Sequence, residues 1–186
     1  MITLVVAGVV AVLLLLLILF AVTTYNGLVR RRGAVDNAWA QIDVQLKRRH
    51  DLIPNLVETV KGYAAHERQT LEAVIAARHH AVAAQGPQDQ AAAENMLSGA
   101  LKNLFALSEA YPDLKADRNF AALQDELATS ENRIAYSRQY YNDAVLAYNN
   151  GIQTVPANIV AGMTGFTARV YFQTPGEERG PVQVRF

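Results

Sequence analysis

From Ile2 to Val22 the chain is uncharged and apolar at almost every position, and beyond that its apolar residues fall into rows at helical spacing. At about 1.5 Å per residue the first run covers roughly 30 Å, the depth of a bilayer's hydrocarbon core. A helix of a water-soluble domain is apolar on one face rather than all round, so residues 1–24 are expected to form a transmembrane anchor. A cleaved signal peptide is the competing reading. Against it, no basic stretch precedes the run and Ala21-Val22-Thr23 is a poor cleavage site.

Beyond the anchor, one row takes every seventh residue, Leu28, Val35, Ile42, Arg49, Leu56 and Tyr63, beside a second of Trp39, Leu46, Ile53 and Val60. Two interleaved rows at this spacing make one buried stripe on a long helix. The stripe keeps its phase through Pro54, whose ring removes a hydrogen bond and crowds the carbonyl of His50. A helix kinked at Pro54 is therefore expected from about residue 26 to 84, with two helices broken near Asp51 as the alternative. Gly27 and Gly33 leave open whether the membrane helix hinges there.

Gln85-Gly86-Pro87 punctuates the chain. A second helix is expected over 88–111, with Leu97, Leu101, Leu104, Leu107 and Tyr111 on its apolar side, closed by Pro112. Asp117 suits the N-cap of a third helix over 117–153, where Phe120, Leu127, Ile134, Tyr141 and Tyr148 recur every seventh residue beside the smaller Ser130, Ser137, Ala144 and Gly151. A large row next to a small one lets a neighbouring helix come close. A short helix follows over 156–165. In residues 167–186 the period becomes two, through Val170 and Phe172, a turn at 175–180, then Val182, Val184 and Phe186. The prediction is an all-α protein: a transmembrane helix, an up-and-down antiparallel bundle over 25–166, and a short β-like tail. A lone hairpin is marginal, so the tail should dock on its own bundle or, alternatively, on a neighbouring subunit.

Charge changes the picture at one place. Arg30, Arg31 and Arg32 follow the anchor and no basic side chain precedes it, which predicts a single pass with the N-terminus outside and the bundle in the cytoplasm. The same arginines also suit anionic lipid head groups. Setting them aside from the 17 basic residues leaves fourteen against 17 acidic ones, a balance that argues against nucleic acid as a partner. The absence of cysteine agrees with a reducing compartment. Thr3, Ala7 and Ala11 share a face of the anchor at the spacing that permits close helix approach in lipid, which favours a homo-oligomer.

Candidate chemistry is sparse. His50, His66, His79 and His80 have no Glu three residues before them, so the di-metal signature of ferritin-like bundles is missing, as is the paired-histidine spacing of zinc proteases. No phosphate-cradling loop, nucleophile elbow or dinucleotide fingerprint occurs. Neither an enzyme nor a bound cofactor or metal is expected. One polar residue stands out: Arg49 occupies an interface position in an apolar row, and a buried guanidinium needs a partner. Glu109, Asp125, Glu126 and Glu131 are the carboxylates considered, with Glu131 the leading candidate for a pair that fixes helix register. Ligand binding by Arg48 and Arg49 is the alternative. Tyr141-Asn142 and Tyr148-Asn149 read as aromatic packing with polar edges.

Several stretches carry a resemblance. Tyr25-Asn26-Gly27-Leu28-Val29, Val35-Asp36-Asn37-Ala38-Trp39, the block from Leu46 to Val57, Val60-Lys61-Gly62-Tyr63, Glu131-Asn132-Arg133-Ile134-Ala135, Tyr141-Asn142-Asp143-Ala144-Val145 and 156–166 are similar to the signature blocks of the bacterial LemA family. The resemblance implies a small membrane protein with one N-terminal span and long antiparallel helices, and it brings no established catalytic activity. Relatives of that family include proteins of magnetosome membranes, and its genes often neighbour membrane zinc proteases. The expected role is thus a helical scaffold of the bacterial inner membrane, working through protein contacts. An adaptor of another membrane protein and a small-molecule sensor or enzyme with an interhelical pocket are the alternatives.

Overall fold

The computed structural model describes residues 1–64 and 66–173, and among these every regular element is a helix. They are α1 (Ile2–Tyr63), α2 (Arg68–Ala83), α3 (Gly86–Ser108), α4 (Pro112–Lys115), α5 (Arg118–Gln153) and α6 (Ala157–Thr164). Their contacts sort into two units, one of Met1–Trp39 with Asn142–Arg169, the other of Ala40–Tyr141 with residues 170–173.

The second unit holds a hydrophobic core. Ile53, Leu56, Val57 and Val60 of α1 pack with Leu71, Val74 and Ala77 of α2, Leu97, Leu101 and Leu104 of α3, Leu114 of α4, and Phe120 and Leu127 of α5. Burying such side chains stabilises by roughly 1.5–3 kcal/mol each, which is what holds short helices like α2 and α4 in place. Within this unit α1 and α5 run antiparallel, since Tyr63 meets Asp117 while Arg48 and Arg49 meet Glu126 and Glu131.

The expected helix over 26–84 needs correction. Residues 26–63 belong to the same helix as the apolar run, with no hinge at Gly27 or Gly33, and Pro54 stands inside it. The interruption falls instead after Tyr63, and α2 begins at Arg68. Gly62 stands in the last turn of α1 at that break, and no proline accompanies it. Packing holds the two sides together: Leu71 and Val74 of α2 share a core with Leu56 and Val60 of α1, and Tyr111 Oη donates to Glu67 Oε1 at 3.2 Å beside the loop. The next helix starts at Gly86 with Pro87 in its first turn and ends at Ser108. Pro112 opens α4, an element the sequence did not suggest.

Asp117 caps α5: the Phe120 amide donates to its Oδ1 at 2.8 Å and the Tyr63 hydroxyl to its Oδ2 at 3.0 Å. These donors, the amide foremost, hold the carboxyl below its ordinary value near 3.8. A depressed carboxylate contributes stability that is present above its unfolded pKa and lost as pH falls through the folded one. Asp117→Asn should therefore flatten the acid limb of the stability profile below about pH 4, read as the denaturation midpoint between pH 5 and 3. An unchanged limb would show that the cap carries no linkage.

In the first unit, residues 2–22 are exposed or, at Ala21, half-buried. Leu28 and Val35 of α1 are buried, as are Val145, Tyr148 and Gly151 of α5. Gly165, in the left-handed region at φ 74°, closes α6. The amide of Phe166 then returns to the Ala161 carbonyl at 3.1 Å, a helix ending that glycine permits.

The β-like tail is also corrected. Residues 167–173 form no strand, and the turn at 175–180 with Val182, Val184 and Phe186 lies outside the described residues. Where a strand would pair with a strand, this segment pairs with side chains. In the first unit Asn149 Nδ2 donates to the Arg169 carbonyl and the Arg169 amide donates to Asn149 Oδ1, both at 2.9 Å, while Tyr148 Oη donates to the Thr167 carbonyl at 2.9 Å. In the second unit Tyr141 Oη donates to the Val170 carbonyl at 2.8 Å. The polar edges of the Tyr-Asn repeat hold an extended backbone.

Candidate functional site

The second unit buries a polar cluster built by four helices. Arg49 lies in the stripe of α1 with its side chain 5% exposed, and its Nη1 meets Glu131 Oε2 at 2.9 Å, the pairing considered from sequence. The same Nη1 also donates to Glu94 Oε2 at 3.2 Å, and Nη2 donates to the Ser98 hydroxyl at 2.8 Å. Glu131 is half exposed, whereas Glu94 is buried to 7%. The sequence reading missed Glu94 although a signal was present. It shares a face of α3 with Leu97, Leu101, Leu104 and Ser108, all buried, and is the charged member of that apolar row. Of the other carboxylates considered, Glu126 pairs with exposed Arg48 at 2.9 Å and Glu109 with Lys115 at 2.5 Å.

Glu94 satisfies most of its acceptor capacity here. Its Oε1 takes His50 Nε2 at 2.7 Å and Gln90 Nε2 at 3.0 Å, and that amide also donates to the Ala81 carbonyl of α2 at 3.0 Å. For His50 to donate to a carboxylate, Nε2 must carry a proton. Pro54 adds a further link. Having no N–H, it leaves the His50 carbonyl without its partner four residues on, and Arg78 Nε of α2 donates to that oxygen at 2.7 Å.

The chemistry of this cluster is cohesive. Its donors and acceptors face one another across α1, α2, α3 and α5, and His50 and Glu94 are both buried. A charge network so enclosed fixes register, because each helix carries a group that another would leave unpaired. Among the described residues no group of three or more His, Asp or Glu side chains is placed to hold a metal ion. Beside the cluster an open groove of about 480 Å³ runs along Leu52, Asn55 and Thr59 of α1 and Asn119, Leu123 and Glu126 of α5.

A second candidate site belongs to the first unit, at the three arginines. Arg31 Nη1 reaches the Ala147 carbonyl at 3.5 Å and crosses Gly151 so closely that a Cβ there would clash with it. Arg32 covers the Phe166 ring at 5.1 Å, a cation–π contact. Phe166 in turn packs edge-on against Tyr25 at 5.6 Å and near Tyr148 at 6.5 Å. Arg169 pairs with Asp36 at 2.9 Å. Arg30 is exposed. Two of the three arginines are thus engaged by α5 and the segment after α6.

Comparison with known proteins gives concordant results. The model of the LemA family matches residues 38–186. The chain is 27% identical to Protein LemA of Metamycoplasma hominis over 158 residues, 83% of this chain and 71% of that one. It is 28% identical to Magnetosome protein MamQ 2 of Paramagnetospirillum magneticum and 26% identical to Magnetosome protein MamQ of Magnetospirillum gryphiswaldense, each match covering 80% of this chain. It spans 64% of the length of either magnetosome protein. The family match takes in the whole buried cluster, from Arg49 and His50 through Glu94 to Glu131, and with it most of the chain, which belongs to the LemA family.

Proposed function

We propose that this chain is a membrane-anchored helical scaffold of the bacterial inner membrane, N-terminus outside and bundle in the cytoplasm, that works as a homo-oligomer through protein contacts and without catalysis. The observation that carries the anchor is the uncovered run over 2–22: it is apolar on every face and forms the first part of α1, which runs on to Tyr63 without a break, a form that suits lipid and not water. For protein contacts, α5 presents Tyr136 and Tyr140 one turn apart, at 75% and 53% exposure. Tyrosines of this kind are favoured at interfaces, where an apolar ring and a polar tip both find partners. The magnetosome relatives are named for a cell structure rather than for a reaction, which suits a structural part.

A photo-crosslinking residue at 136 or 140, activated in cells, tests the reading. A ladder at multiples of the chain mass is the expected result. One discrete adduct with a different membrane protein, a protease for instance, would replace the scaffold by an adaptor. The groove beside Asn55 and Asn119 supports a third reading, a small-molecule sensor, and ligand co-purifying in it would favour that one.

A further inference from the structure

We infer that α6 and the turn before it form a second membrane contact, lying in the head-group boundary of the bilayer that the N-terminal helix enters; the inference rests on the anchor reading above. No acidic or basic residue occurs between Asp143 and Arg169, although the chain carries 34 charged residues, 17 of each sign. Within that stretch the large apolar side chains of Val155, Ile159 and Met163 are 73%, 61% and 84% exposed. They recur every fourth residue, so on α6 Ile159 and Met163 share the face opposite buried Ala161. A face this apolar and open is costly in water.

The first unit places the segment at the right depth. Phe166, directly after the glycine that closes α6, packs on Tyr25, three residues and about 4.5 Å past the end of the apolar run. Gly151, two residues from the end of α5, lies against Arg31. The turn at 154–156 and α6 therefore sit where the hydrocarbon gives way to head groups, the level that favours Tyr rings and arginines. The two threonine side chains of the segment are already accommodated: the Thr154 and Thr164 hydroxyls each donate to the carbonyl four residues back, Asn150 and Val160, at 2.6 Å. Exposed Arg30 stands at the same level to meet lipid phosphates. The contact would be that of a short interfacial helix, uncharged on its lipid side and flanked by basic groups.

The absence of cysteine allows a direct test with the full chain. Ile159→Cys and Met163→Cys, each bearing a nitroxide, are placed in vesicles of phosphatidylethanolamine and phosphatidylglycerol, with Leu15→Cys and Tyr136→Cys as references. Collision rates with oxygen and with a water-soluble nickel chelate report depth. The expected result is a label at 159 and 163 that lies roughly 5–10 Å below the phosphates, deeper than position 136 and shallower than position 15. If 159 and 163 match 136 while 15 is deep, the anchor stands and the second contact is refuted. Shielding of 159 and 163 from both reagents would also refute it, by showing a protein occupant. A label at 15 open to the nickel chelate would overturn the anchor itself, and this inference with it.

Discussion

Glu94→Ala is expected to destabilise the protein by about 3–5 kcal/mol, because it strands Arg49, His50 and the Gln90 amide in a buried setting. Glu131→Ala, which removes the half-exposed partner of the same guanidinium, should cost under about 1 kcal/mol. The contrast identifies which carboxylate matters for the pair. Chemical denaturation of the full chain in detergent, followed by helical circular dichroism, gives both values, and equal costs would contradict the assignment. Arg49→Met combined with Glu94→Leu should recover stability relative to Glu94→Ala, since an apolar pair leaves no uncompensated charge.

Asn149→Ala is the second substitution with a large expected effect. Asn149 is buried, and both ends of its amide bond the backbone of Arg169, so the truncation leaves an N–H and a C=O without partners. A cost of about 2 kcal/mol follows for the docked segment, equivalent to a roughly thirtyfold rise in its open population. Trypsin cuts after arginine, so native-state proteolysis at Arg169 should accelerate by a similar factor. Tyr148→Phe, which removes one bond to the Thr167 carbonyl, should show a smaller increase. No change at Arg169 in Asn149→Ala would mean that other contacts hold the segment.

What could be read from the chain follows from the range of the forces involved. The apolar run over 2–22 and the rows on α3 and α5 are local patterns, so the helical character of the protein is visible in its periodicity. Arg49 among Val35, Ile42 and Leu56 is visible for the same reason. Its buried partner is 45 residues away in sequence, and distance within a fold is not a periodic property. Glu94 was nonetheless findable by the logic applied to Arg49, as a charge in register with leucines. The break after Tyr63 was not, because Gly62 looks no different in sequence from Gly27 and Gly33, which stand inside the helix, and where the chain leaves α1 depends on where α2 finds its core. Period-two alternation at 170–172 suggested a strand because any extended segment alternates. Asn149 and Tyr141, not a partner strand, meet its backbone.

The joint between Pro54 and Arg78 carries a consequence of a different kind. A proline is ordinarily a defect in a helix, and here the defect is the address: one carbonyl on α1, freed by chemistry that no solvent condition reverses, marks where α2 must fasten. Neither an amide oxygen nor a guanidinium changes its hydrogen-bonding role across the range in which carboxylates titrate. That seam is therefore acid-proof. When protonation of Asp117 weakens the cap of α5, the joint between α1 and α2 keeps one rivet that acid does not reach.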